Sequence, residues 1–119
     1  MNQKNTKIEE RTFLFSKNII ELVMSLSKNE IKFVLGKQLM RSGTSIGANV
    51  EEAQGGLSKK EFIHSMNVAK KEARETLYWL RLLLEFDAAG REKLKILILE
   101  CDELKRMLTA IVKTSQANL

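Results

Sequence analysis

Apolar residues alternate at intervals of four and three along most of this chain, and no proline interrupts them. This spacing puts side chains on one face of an α-helix, so the pattern predicts helices that each carry one apolar face. Aromatic residues are few, while Leu, Ile, Ala, Lys and Glu are frequent, which is typical of helical proteins. We therefore expect an all-α fold.

The pattern divides the chain into four helical segments joined by short turns. The first is expected from about Thr6 to Leu26. Ser27 with Glu30, and Ser58 with Glu61, fit capping boxes at the starts of the second and third helices. The third helix is expected to end near Asp87, and the fourth to run from about Arg91 to Thr114. Four such helices predict a single domain, residues 1–119, folded as an antiparallel up-down-up-down four-helix bundle.

The apolar faces predict which residues form the core. On the first helix, Phe13, Ile20 and Val23 form a second apolar stripe, which suggests contact with more than one neighbour. Cys101 falls on the core stripe and is expected to be a buried structural thiol. The predicted core comprises Ile8, Thr12, Phe15, Ile19, Leu22 and Leu26; Ile31, Leu35, Leu39, Gly43, Ile46, Val50 and Ala53; Phe62, Met66, Ala69, Ala73, Thr76, Leu80 and Leu83; and Leu94, Leu97, Cys101, Leu104, Leu108 and Ile111.

Composition limits the compartment and the partners. A single cysteine excludes an intramolecular disulfide. The N-terminus is polar, and no stretch approaches the roughly 18 uncharged apolar residues of a membrane span. We therefore expect a soluble, cytoplasmic protein without a membrane partner. A net charge of +5 permits an acidic partner such as nucleic acid without requiring one.

The stretch from Arg41 to Gly56 contains four glycines among small polar residues. The four-three period continues through it, which predicts a helix. A glycine inside a helix costs up to about 1 kcal/mol relative to alanine, so a compensating close approach of another helix is expected. Gly43 lies on the core stripe, with Gly47 beside it. Ser45 and Asn49, if buried, would need hydrogen-bond partners that fix the helix register. The residues expected to serve helix packing are Ser42, Gly43, Ser45, Ile46 and Asn49. The competing interpretation, a phosphate-cradling loop, is weakened because no Lys-Ser or Lys-Thr follows the glycines.

Two sequence blocks resemble the bacterial four-helix-bundle proteins of the 23S rRNA intervening-sequence type. The first is R-S-x-x-S-I-x-x-N-V-x-E, here from Arg41 to Glu52, and the second is E-A-R-E-T-x-Y-W-L, here from Glu72 to Leu80. The resemblance is strong from about Leu35 to Glu85. It implies an up-down bundle that assembles into a ring-like homopentamer with a basic surface that meets nucleic acid. Some relatives are encoded within intervening sequences of ribosomal RNA genes, and a related accessory protein of diversity-generating retroelements works beside a reverse transcriptase.

The residues offer little for catalysis or metal binding. Glu61 and His64 have the Glu-x-x-His spacing of di-iron bundles, but such a site needs two of these motifs, and the chain has one histidine. Glu61 is also accounted for by the capping box. Ser42 and Ser45 have no histidine nearby in sequence. We expect no cofactor, no metal and no enzymatic activity; a metal-dependent bundle enzyme is a distant alternative.

A polar stripe on the third helix is the better candidate site. Its members can all donate hydrogen bonds to phosphate, and four of them are cations. Tyr78 could stack on a base of single-stranded nucleic acid. The alternative is a solvated face on which Lys and Arg pair with Glu. The stripe consists of Lys60, His64, Asn67, Lys71, Arg74, Tyr78 and Arg81, and the predicted nucleic-acid contacts are Lys60, Lys71, Arg74, Tyr78 and Arg81.

A further stripe on the same helix carries Trp79, Leu82 and Phe86. Large apolar side chains outside the core of a bundle suggest a partner surface, so these three are the predicted oligomer interface. The alternative is that another helix of the same subunit covers them.

Together these patterns predict a homo-oligomeric helical scaffold, without catalysis of its own, that binds RNA or DNA backbones as an accessory of a ribonucleoprotein. The alternative is an adaptor that docks a reverse transcriptase or another protein through its apolar rim and binds no nucleic acid.

Overall fold

A computed structural model describes residues 7–86 and 90–119, and within these ranges the chain is helical without any strand. The four α-helices are α1 (Ile8–Ser25), α2 (Glu30–Gln54), α3 (Lys59–Phe86) and α4 (Arg91–Ala117). They pack as a bundle that measures 47 × 30 × 19 Å. The all-α prediction with four helices is confirmed, and the glycine-containing stretch is helical as far as Gln54.

The bundle places each helix beside two others. Helix α2 packs against α1 and α3, and α4 packs against α3 and, less closely, against α1. Within the described residues, α1 and α3 face each other across the diagonal without close backbone contact, as do α2 and α4. The outer surface of α3 therefore lies on the side of the molecule away from α1.

The start of α2 differs from the prediction. Asn29, not Ser27, caps the helix: its Oδ1 accepts a hydrogen bond from the backbone N–H of Lys32 at 2.8 Å, and its backbone is extended. Asn and Ser are both good N-caps, and the cap falls where the backbone leaves the extended conformation. The predicted helix ends at Thr6 and Asp87 lie outside the described residues.

The start of α3 follows the prediction more closely. The Ser58 hydroxyl accepts a hydrogen bond from the Glu61 N–H at 3.1 Å. The Glu61 carboxylate reaches back to the N–H of Leu57 at 2.6 Å, one residue earlier than in a standard capping box. The Ser58 hydroxyl satisfies a backbone donor that the first turn of the helix leaves free, and the Glu61 carboxylate binds the N–H of the residue before the cap. At the other end of the chain, α4 begins at Arg91 as expected and continues three residues past Thr114 to Ala117.

The predicted core stripes are buried with few exceptions. Ile31 is the main error, because its side chain is 66% exposed. It lies in the first turn of α2, beyond the level at which Gly36 meets the end of α1 at Leu26, so no neighbouring helix covers it. On α4, Val112 is buried and Ile111 is only half-buried. In the second stripe of α1, Val23 packs against the core, whereas Phe13 is 71% and Ile20 39% exposed.

The glycines of α2 mark the crossing with α1. A Cβ on Gly43 would lie 3.0 Å from both Cγ atoms of Ile19, closer than carbon atoms pack. A Cβ on Gly47 would lie 3.2 Å from the backbone oxygen of Thr12. Gly47, placed beside the core stripe by the sequence pattern, is therefore buried directly on the α1 backbone. The missing side chains let the two helices approach closely, as the period through this stretch predicted for Gly43.

Candidate nucleic-acid interface

The polar stripe of α3 forms one continuous exposed face. Its core side buries Met66, Ala69, Ala73, Thr76, Leu80 and Leu83 between the other helices. The core stripe and the polar stripe follow the same four-three spacing on different sides of the helix. The polar stripe therefore faces outward when the core stripe is buried. All seven residues of the polar stripe are exposed: Lys60, His64, Asn67, Lys71, Arg74, Tyr78 and Arg81.

The cations on this face are not neutralised by carboxylates. Among the described residues, Lys60, Lys71, Arg74 and Arg81 make no ion pair. The carboxylates one helical turn away do not face them: Glu85 follows Arg81 by four residues without reaching it. Lys71 precedes Glu75 by four residues, and a lysine that precedes a glutamate at this spacing is the weaker orientation of a helical ion pair. The face consequently carries a local excess of positive charge.

Two carboxylates of α3 are engaged by Arg41 of α2. Its guanidinium forms an ion pair with Glu72 at 3.4 Å and a second with Glu75. The Glu75 carboxylate also accepts a hydrogen bond from the Trp79 indole N–H at 2.9 Å. These contacts hold both carboxylates on the α2 side of the helix, away from Lys71 and Arg74.

Tyr78 lies between the cations on the same face. Its side chain is 57% exposed, and its ring meets that of Trp79 edge-on, with centroids 5.1 Å apart and planes at 74°. The edge contact fixes the position of the tyrosine while leaving much of the ring open to solvent. Two further lysines of α3 are less available: Lys59 donates a hydrogen bond to the backbone oxygen of Asn118 at 3.3 Å, and Lys70 is half-buried.

The residues predicted for an oligomer interface have different surroundings. Trp79 is half-buried, packs against the core and is held by Glu75. Leu82 is half-buried, and Phe86 is 66% exposed. Phe86 borders a shallow groove with Ile31 at the end of α3. The apolar surface of this stripe is thus concentrated near Phe86.

The small polar residues of α2 divide into two groups. Ser42 is fully buried, and its Oγ accepts a hydrogen bond from Thr76 Oγ1 of α3 at 2.9 Å. Ser45 and Asn49 are half-buried and bond to carbonyls one turn back on their own helix. Ile46 is fully buried. The cross-helix hydrogen bond thus joins Ser42 and Thr76, and the sequence signal for it was a threonine on an otherwise apolar stripe.

An ion-pair cluster between α1 and α4, in which the arginine is buried and the carboxylates are partly exposed, was not anticipated. The Arg11 side chain is 9% exposed and pairs with Glu103 at 3.1 Å and with Glu100. The hydrogen bond with Glu103 raises the pKa of Arg11, burial opposes this rise, and Glu100 adds to it. A basic residue next to the core residue Thr12 was the available signal, but its partners lie about ninety positions away in sequence.

The remaining reactive side chains are accounted for by the fold. Cys101 is fully buried, its thiol donates to the Ala73 carbonyl at 3.3 Å, and burial raises the pKa of the thiol to about 12. His64 is exposed, while Glu61 belongs to the α3 cap. In the described ranges, no three His, Cys, Asp or Glu side chains converge as metal ligands would. None of the described helices combines the length and apolarity that crossing a bilayer requires.

The sequence matches the family model of the 23S rRNA-intervening sequence protein over residues 4–110. The chain belongs to this family. A similar solved structure, with a TM-score of 0.83, is that of a protein with unknown function from the S23 ribosomal protein family of Bacteroides thetaiotaomicron. The two chains are 37% identical over 90% of this chain and 99% of the other. No curated protein is significantly similar to the chain. The match supports the resemblance found in the two sequence blocks.

Proposed function

We propose that this family member is a non-catalytic cytoplasmic scaffold that binds nucleic-acid backbones through the outer face of α3. This surface, the α3 basic face, consists of Lys60, Lys71, Arg74, Arg81 and the intervening Tyr78. The observation that carries the proposal is the set of four exposed cations on one helix face, none of them in an ion pair within the described residues. Phosphate oxygens are ligands that such cations bind without reading base identity.

The α3 basic face has a suitable length for this role. From Lys60 to Arg81 there are 21 helical positions, which correspond to about 32 Å at about 1.5 Å per residue. Phosphates along one strand of a duplex rise by about 3.4 Å each, so the face spans roughly nine nucleotides. Lys71 and Arg74, one turn apart near the middle, are positioned to contact adjacent phosphates.

Tyr78 favours single strands over duplexes within this proposal. Base faces in a duplex are stacked on one another, whereas a single strand can present a base to an exposed aromatic ring. Arg74 and Arg81 lie one turn on either side of Tyr78, so a stacked base would have cations near both flanking phosphates. Tyr78→Ala should therefore weaken single-strand binding more than duplex binding.

The test is binding of fluorescently labelled RNA and DNA oligonucleotides of several base compositions, measured by anisotropy at increasing salt. Four phosphate contacts predict a slope of log K against log salt near −2.8 for single strands, at about −0.7 per contact. Lys71→Glu with Arg74→Glu removes two contacts and should halve the slope. Affinity should depend little on base composition.

A matched control separates the α3 basic face from net charge. Lys7→Glu with Lys93→Glu makes the same change in charge at two exposed lysines outside α3. The proposal requires the control to bind like the wild type while the α3 variant binds weakly, with both helical by circular dichroism. If the wild type binds no RNA or DNA at low salt, or if both double variants lose affinity equally, the α3 basic face is a solvated surface. The adaptor function would then take precedence.

We further propose that the scaffold self-associates, with the ring of five that the family resemblance implies. Exposed apolar side chains outside the core support self-association, among them Phe86, Ile96 and Leu99. Light scattering across a concentration series checks this, and a monomer at every concentration would refute it.

We also infer that successive helices alternate in direction, as in an up-down-up-down bundle. The contacts between α1 and α2 support this arrangement, because Gly36 adjoins Val23 whereas Gly47 adjoins Thr12. Between α3 and α4, Lys59 lies beside Asn118 and Ala73 beside Cys101.

A further inference from the structure

The outer surface between α1 and α2 is unusually apolar for an exposed surface. On α1, Phe13, Ile20 and Met24 project outward at intervals of seven and four, and Met24 is 78% exposed. On α2, Phe33 is 68% exposed and Met40 is half-buried. Met24, Phe33 and Met40 line a groove of about 690 Å³, and a separate depression of about 400 Å³ lies along Phe13 and Ile20 on α1. We call this surface the α1–α2 seam.

Lysines border the α1–α2 seam along its length. Lys17 lies between Phe13 and Ile20, and Lys28 and Lys37 line the larger groove; Glu21 and Glu30 also lie on this border, where the lysines outnumber them. All three lysines are exposed, and none is in an ion pair within residues 7–86 and 90–119. The seam therefore suits an apolar helix face that is flanked by carboxylates.

One such face exists on the protein itself. Glu92, Ile96, Leu99 and Glu103 follow one another on α4 at intervals of four, three and four; we call them the α4 outer stripe. Ile96 is 65% and Leu99 72% exposed, so neither is covered within the subunit. The Glu92 side chain is 88% exposed, with only a 3.9 Å contact to Lys95. The Glu103 carboxylate pairs with Arg11, and the Glu103 side chain is 59% exposed.

The two surfaces match in length and character. The α1 side of the seam runs from Phe13 to Met24 and the α4 outer stripe from Glu92 to Glu103, each about 16 Å along its helix. Apolar residues at the centre of the stripe would enter the grooves, and its carboxylates would reach the bordering lysines. Because the two surfaces are different parts of the chain, a contact between them is head-to-tail and leaves each copy with one free surface of each kind.

We propose that the α1–α2 seam of one copy receives the α4 outer stripe of a second copy. This inference rests on the self-association proposed above and adds which surfaces meet. The same contact repeated from copy to copy closes into a ring when the rotation permits. The α3 basic face takes no part in it and stays exposed in the assembly.

Two single variants and their mixture test the inference. Met24→Asp disables the seam but leaves the stripe intact, and Leu99→Asp does the reverse; both side chains are largely exposed, so the fold should tolerate the changes. Each variant alone should have the mass of one 13.6 kDa chain by sedimentation or light scattering. An equimolar mixture should form a two-chain species, because one intact seam meets one intact stripe. Melting followed by circular dichroism checks that both variants are folded.

The other outcomes are informative in different ways. If the wild type assembles and both folded variants keep its mass, the inference is wrong and self-association stands. If each variant is monomeric and the mixture stays monomeric, the head-to-tail contact is wrong. A wild type that is monomeric at every concentration would overturn self-association together with this inference, and would leave the seam to another protein. As a second measurement, Glu92→Lys should weaken assembly, because it brings a cation to the lysine-bordered seam, and an unchanged mass would contradict the charge complementarity.

Discussion

The close crossing of α1 and α2 makes Gly43→Leu a sensitive test of the packing. Already the first added carbon would lie 3.0 Å from two carbons of the fully buried Ile19, where about 3.5–4.0 Å is the favourable separation. Ile19 is β-branched and held in one rotamer within its helix, so it cannot turn aside. The helices must therefore move apart or the leucine must strain.

The expected magnitude follows from two opposing effects. Replacing a helical glycine by leucine gains roughly 1 kcal/mol of helix propensity. Overpacking a buried position typically costs about 1–3 kcal/mol, and leucine adds three carbons beyond the first. Leucine at Gly43 thus lies at or above the upper end of that cost, and after the gain in helix propensity we expect a net loss of about 2 kcal/mol or more in the free energy of unfolding.

Urea unfolding followed by circular dichroism at fixed chain concentration measures this loss, since dissociation of an oligomer would add a concentration dependence. Ala48→Leu is the matched control, because it adds a leucine to an exposed position of the same helix and should change stability by less than about 0.5 kcal/mol. If Gly43→Leu and Ala48→Leu unfold at the same urea concentration, the close crossing is not what the glycine serves.

Two further predictions concern buried polar groups. Thr76→Val removes a hydroxyl that lies 2.9 Å from Ser42 Oγ and 2.7 Å from the Glu72 carbonyl oxygen, and it leaves Ser42 with a 3.5 Å approach to its own helix, so it should cost about 1–3 kcal/mol. In a double-mutant cycle by urea unfolding, Ser42→Ala combined with Thr76→Val should cost less than the sum of the single changes, and simple additivity would contradict the pair. The pKa of Cys101 rises from 9.0 to about 12 in the fold, so the unfolded chain loses its thiol proton first as pH increases. Stability should thus be unaffected well below pH 9 and fall by roughly 1 kcal/mol by pH 10, and Cys101→Ala should remove this part of the pH dependence in thermal or urea unfolding.

The core could be predicted from sequence because helical periodicity is a local property. Thr12, Ile46 and Leu104 are buried because the four-three interval alone determines which side chains of each helix lie on its core face. Ile31 fits the same interval and is exposed, because its burial depends on where α1 ends relative to α2. The position of a neighbouring helix is a tertiary feature that the interval does not contain.

The helix cap and the cross-helix pairs show a second limit. Ser27 and Asn29 are both suitable N-caps and lie two residues apart. Which of them caps α2 depends on the path of the backbone between α1 and α2. Arg41 and Glu75 are 34 positions apart, so their pairing depends on the register of α2 against α3, which the sequence spacing does not contain. Sequence spacing predicted the exposed face of α3 but could not show that its carboxylates are engaged elsewhere.

The register of α2 against α3 is therefore central to the charge of the α3 basic face. The buried bond between Ser42 and Thr76 aligns the two helices, and this alignment places Arg41, the neighbour of Ser42, within reach of Glu72 and Glu75. Without Arg41, Glu75 would be free to approach Lys71 one turn away on its own helix. Ser42, which bonds to α3, and the neighbouring arginine thus help to leave the cations of the α3 basic face without carboxylate partners. The two sequence blocks that resemble the family contain Arg41, Ser42, Glu72, Glu75 and Thr76, so the segments that carry the resemblance also build this arrangement.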